Sequence, residues 1–166
     1  MTEPEVATTR LTLREELEAG RRKIREDREP LLIQLPGFSG KMAARYKCLP
    51  YEQLRAINRR TQKMAELQDD RAEIKGICDL LMKACLGLFW REGDEMVPLE
   101  DHLGSDEGPV TYNDRRLREE LGLDASTEGR EVVRAVFGDD DTLLTFHASK
   151  VDRWMSAANQ QDEQDF

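Results

Sequence analysis

From Glu73 to Trp90 the chain reads EIKGICDLLMKACLGLFW, its most apolar stretch. Ile74, Ile77, Cys78, Leu81, Ala84, Cys85 and Leu88 recur at steps of three and four, the spacing that lines one face of an α-helix. Leu80, Met82, Leu86 and Phe89 add apolar bulk on neighbouring faces. A helix that is greasy beyond one stripe is buried on more than one side. The pattern predicts a central core helix over 73–90, around which the rest must pack. Asp79 and Lys83 interrupt the run, which makes it too short and too charged to span a bilayer.

Upstream, residues 1–29 form an arm that is either flexible or a surface helix. Residues 1–8 are small, polar and acidic, the pattern of a disordered end. From Thr9 to Glu29 charges of both signs are dense, and Leu11, Leu13, Leu17 and Ile24 give only a thin apolar stripe. Pairs such as Arg14–Glu18 support an exposed helix weakly, and docking of this helix on a partner is the functional alternative. Pro30 ends it. Leu31 to Leu35 reads as a strand, Pro36 to Gly40 as a turn, and Lys41 to Cys48 as a half-buried alternating strand with a basic outer face. Together they predict a β-hairpin over 31–48. A lone hairpin is marginal in water, so it must pack on helices or gain strands. Pro50 opens a helix to about Gln68, with Leu54, Ile57, Met64 and Leu67 inward.

Downstream of Trp90 the punctuation is dense. Gly93 and Pro98 suggest a second small hairpin over 88–99, and 100–109 reads as an exposed loop. Asn113 or Asp114 caps a helix ending at Gly122, and Ser126 or Thr127 caps another over 128–137. Asp139-Asp140-Asp141-Thr142 opens a last helix carrying Leu143, Leu144, Phe146, His147, Val151, Trp154 and Met155. The acidic stretch 157–166 reads as a disordered tail. The expected fold class is therefore α+β, mainly α, with one globular domain over 30–156.

Composition narrows the function classes. The chain has 166 residues and a net charge of −9, and an acidic surface is repelled by phosphate backbones and anionic bilayers. Neither nucleic acid nor membrane is an expected partner. Three cysteines in apolar contexts suggest buried thiols in a reducing compartment. Residues 2–10 are polar and lack the basic-then-apolar order of a secretory signal. The expectation is a soluble, cytoplasmic protein.

No residue pattern carries chemistry. Asp139-Asp140-Asp141 lacks the alternation, glycine and closing glutamate of a calcium loop, and capping explains it better. Cys78 and Cys85 lie seven apart, a packing interval rather than a zinc spacing. There is no nucleophile elbow and no glycine-rich phosphate loop, and His147 reads as a half-buried helix histidine. The reading assigns no catalytic, metal or cofactor residue. Phe89, Trp90, Trp154 and Met155 are the candidate partner-binding residues, since large apolar side chains anchor interfaces as well as cores.

Two groups of motifs carry a resemblance. The first is Leu35-Pro36-Gly37-Phe38-Ser39-Gly40 with Ala44-Arg45-Tyr46-Lys47-Cys48-Leu49. The second joins Cys85-Leu86-Gly87-Leu88-Phe89, Gly108-Pro109-Val110-Thr111-Tyr112, Arg116-Leu117, Val132-Val133-Arg134-Ala135-Val136-Phe137-Gly138, His147-Ala148-Ser149-Lys150-Val151 and Trp154-Met155. Over roughly 31–155 the chain resembles the tail assembly chaperones of tailed phages and prophages infecting actinobacteria. The resemblance implies a non-enzymatic late protein of the host cytoplasm, without cofactor and absent from the mature virion. It implies that the chain binds the long helical tape measure protein and keeps it soluble until tail tube subunits polymerise around it. It also implies a longer form made by ribosomal slippage, with which the chain would associate; self-association stays open. A structural tail, neck or completion protein is the alternative, and an enzyme with an unrecognised site is a more distant one.

Overall fold

The computed structural model describes residues 12–164. The expected loose start over 1–8 and the last two residues, 165–166, lie outside the described residues. Helix α1 spans Leu13–Asp27, with Leu13 and Leu17 exposed. Strand β1 (Leu31–Gln34), a tight turn and β2 (Met42–Tyr46) form the expected hairpin. Gly37, Phe38, Ser39 and Gly40 all have positive φ in that turn. Glycine tolerates this conformation and phenylalanine does not, so the turn stores local strain. Gln34 holds it by donating from Nε2 to the Gly40 carbonyl at 2.9 Å.

Helices α2 (Tyr51–Glu66) and α3 (Ala72–Ala84) make an antiparallel hairpin. They approach closely because Gly76 has no side chain: a Cβ there would lie 2.2 Å from Thr61 Oγ1. The central helix then stops six residues short of its expected end. Residues Cys85–Glu92 are strand β3, paired antiparallel with β2. The run from Cys85 to Trp90 suits a buried central strand as well as a helix, because such strands read as unbroken apolar runs. Gly87 disfavours a helix there by about 1 kcal/mol, and pairing with β2 fixes the strand.

Strand β4 (Glu95–Pro98) pairs with β3 across the Gly93 turn, giving one four-stranded meander β1-β2-β3-β4. The second expected hairpin thus exists, but it is zipped to the first. Tyr46, Ala44, Met42, Leu88 and Trp90 face the helices and join the core, whereas Phe89, Ala43 and Leu32 occupy the other face. The fold class is α+β, mainly helical.

The remainder is short helices and one long one. Helix α4 (Leu99–His102) starts on the buried Leu99, where the second hairpin is expected to end, and takes up the first three residues of the expected loop. Asp114 caps α5 (Arg115–Glu120) by accepting from the Arg116 amide at 2.8 Å. Helix α6 (Gly129–Val136) begins without a serine or threonine cap, because Ser126 turns back onto Asp124 Oδ1 at 2.7 Å. Asp140 caps α7 (Asp141–Gln164), accepting from the amides of Thr142 and Leu143 at 3.0 and 3.2 Å. The helix runs on through 157–164, where a loose tail is expected, and Ala158 is buried. No described helix is long and apolar enough to cross a membrane.

Candidate functional site

Among the hollows in the described surface, the one between α2, α3 and α7 has the most regular construction. Its volume is about 310 Å³. One wall is α2, through Leu54, Ile57, Asn58 and Thr61. The floor is α3, through Glu73, Gly76, Ile77 and Leu80. The other wall is α7, through Thr145, Ala148, Ser149 and Asp152. Each helix contributes positions i, i+3, i+4 and i+7, the stripe that a helix presents to a helical neighbour. Three stripes of equal length line one trough, the kind of surface against which a further helix can pack.

The sequence dictates this opening. Helix α3 is apolar beyond one stripe, so it needs cover on several sides. The sheet, α6 and α7 cover part of it. Small residues on the α7 wall, Ala148 and Ser149, leave Ile77 and Leu80 only partly buried. Beside the trough, Phe146 and Leu143 of α7 are 61% and 43% exposed. Phe146 also borders a hollow of about 370 Å³ against the strained Pro36–Gly40 turn. Lys150 sits over the Phe146 ring, 5.0 Å from its centroid.

The four residues suggested by sequence do not come together. Phe89 lies on the far face of the sheet, away from the core cluster. Trp90 packs edge-on against Phe38 and stacks on His102, with centroids 6.5 and 5.1 Å apart. Trp154 is half-buried against the core, and Met155 is fully enclosed, with no surface to offer. Phe146 and Leu143 are exposed and Ile77 and Leu80 are partly buried, and the sequence reading singled out none of the four as partner-binding. For Phe146 the available signal was phase, since it falls well away from the side of the helix that carries Leu144, His147 and Val151.

One set of titratable groups does converge. Tyr46 Oη shares hydrogen bonds with Tyr112 Oη and, at 2.7 Å, with His147 Nε2. Burial raises both tyrosines well above their ordinary value. Burial, and then the nearby Lys150 charge, lowers His147 to about 4. The trio is therefore neutral around pH 7. Both tyrosines are 0% exposed, so their hydroxyls are sealed from any substrate atom, and the network joins β2, the residues before α5 and α7. Burial also pushes the Cys78 and Cys85 thiols up to about 12 and about 11, far from the thiolate range that nucleophiles need. Among the described residues no three His, Cys, Asp or Glu side chains group to hold a metal ion.

No protein-family model, curated protein or solved structure matches the chain.

Proposed function

We propose that the chain is a tail assembly chaperone of a tailed phage or prophage, a non-enzymatic holdase for the tape measure protein. The trough between α2, α3 and α7 is the observation that carries the proposal. A tape measure protein is expected to be long and helical, and before the tube forms around it, its apolar stripes have nothing to cover them. A trough built from three helix stripes covers one such stripe by helix-in-groove packing, and the net charge of −9 keeps the complex soluble. The motif resemblance supports the same reading, and it extends the proposal to the host cytoplasm, to absence from the finished virion and to a slippage-derived longer form.

Expressing the tape measure protein with and without this chain tests the reading. Solubility should rise when the chain is present, and equal solubility rejects the proposal. Mass spectrometry of purified particles separates it from a structural tail or neck protein, which would be found there.

A further inference from the structure

Three features of the trough bear on what fills it. Its length comes first. Each stripe spans eight residues, from 54 to 61, 73 to 80 and 145 to 152, which is about 10 Å of helix, or two turns.

Its charge comes second. Among the described residues, the ionisable side chains lining it are Glu73 and Asp152, both acids and both exposed. Neither has an ion-pair or hydrogen-bond partner among the described residues. An unpaired acid beside an apolar floor is a specificity element, since it favours a cation and repels an anion at that point.

The placement of those acids comes third. Arg71 donates to Asp141 at 3.2 Å, which sets the start of α7 beside the start of α3. Cys48, just before α2, lies 3.8 Å from Asn159 Oδ1, late in α7. Thr61 meets Gly76 in the antiparallel hairpin of α2 and α3. The three helices are thereby ordered, so Glu73 stands at the Thr61–Thr145 end of the trough and Asp152 at the Leu54–Leu80 end. One acid closes each end of a two-turn apolar floor.

Building on the reading of the trough as a helix seat, we propose that its occupant is an amphipathic helix of a partner protein whose apolar i, i+3/i+4, i+7 stripe is bracketed by a Lys or Arg at each end. A second copy of this acidic chain fits less well, because the like charge of the two copies opposes their approach.

Fluorescence anisotropy with two labelled peptides tests this. Both carry leucines at i, i+3 and i+7 of one helical sequence. One has lysine at each end of the stripe and the other has glutamate. The lysine peptide should bind about tenfold more tightly, since each of two solvent-exposed ion pairs contributes a few-fold, and added salt should erase the difference. The double variant Glu73→Lys with Asp152→Lys should reverse the preference. Ser149→Trp, at an exposed trough position, should abolish binding of both peptides while leaving the circular dichroism unchanged. Equal affinities for the two peptides, or binding that survives Ser149→Trp, overturn the proposal, as does a concentration-dependent dimer that excludes both peptides. The outcome is separable from the chaperone reading. If Ser149→Trp still solubilises the tape measure protein, the trough proposal fails alone. If the lysine peptide binds as expected but the tape measure protein gains no solubility, the chaperone reading fails alone.

Discussion

Residues 99–128 and the α2–α3–α7 trough solve opposite problems. The first region has little regular structure, yet it is closed. Arg116, nearly buried, donates to both Asp114 carboxylate oxygens, to Ser105 Oγ at 3.0 Å and to the Glu107 and Gly108 carbonyls at 3.2 and 2.6 Å. Arg118 donates to the carbonyls of Asn113 and Thr127 at 2.7 and 2.8 Å. Two guanidinium groups thus satisfy the loop carbonyls that no sheet or helix reaches. The trough has the opposite character. Its three walls are regular helices with satisfied backbones, and it is their side-chain stripes that lack a neighbour. Irregular backbone must be tied down to exist at all, whereas a regular helix can keep a face open without unfolding. An open face built from helices is therefore the place we propose for a partner, in preference to a loop latched by arginine.

The contrast is sharpest in the variants that should break it. Arg116→Ala removes the buried guanidinium and its hydrogen bonds to Ser105, Glu107, Gly108 and Asp114, so the unfolding free energy should fall by about 3 kcal/mol and the melting temperature by about 10 °C. Calorimetry measures this, and a loss below about 1 kcal/mol would mean the loop is held otherwise.

The buried network around His147 should show its own signature with pH. His147 titrates near its ordinary value of 6.5 when unfolded and near 4 when folded. Above pH 6.5 it is neutral in both states and its stability contribution is fully present. As pH falls from 6.5 towards 4 the unfolded chain takes up a proton that the folded one refuses. Stability should therefore drop by roughly 3 kcal/mol across that window. His147→Gln, which still hydrogen-bonds Tyr46, should flatten the profile in urea titrations between those limits.

Gly76→Ala is expected to cost about 1–2 kcal/mol, because its methyl group meets Thr61 Oγ1. In a Thr61→Ala background the cost should shrink towards zero, because only the 3.2 Å contact with the residue 61 Cβ remains and the better helix propensity of alanine offsets about 0.5–1 kcal/mol. A double-mutant cycle reads the coupling. The smallest effect belongs to the open surface. Phe146→Ser should change stability by less than about 0.5 kcal/mol, a value that only an unneeded side chain would give.

The sequence made some elements plain and concealed others for physical reasons. The alternation of Met42, Ala44 and Tyr46 located β2, and the aspartates before α7 were correctly read as a cap, because period and capping are local. The junction at Ala84–Cys85 was not legible: apolar spacing continues unbroken from helix into strand, and only pairing with β2 decides where one ends. Arg116 and Arg118 were invisible as latches, since their acceptors are backbone carbonyls and any residue supplies one. The trough was hidden for a similar reason. Ile77 and Leu80 look like core residues, and nothing local says that Ala148 and Ser149 leave them uncovered. Leu67, placed inward by its spacing, is 83% exposed at the end of α2, where no neighbouring element covers it.

The central claim, that the open helical trough is the docking face and the latched loops are not, is tested most directly by mapping a bound helix. Backbone amide shifts should be recorded while the lysine-bracketed peptide is added to the full chain. The account predicts perturbations concentrated at Ile77, Leu80, Thr145 and Ser149, with 104–128 unmoved. Shifts centred on 104–128 or on the Phe89 face of the sheet, with the trough silent, would contradict it.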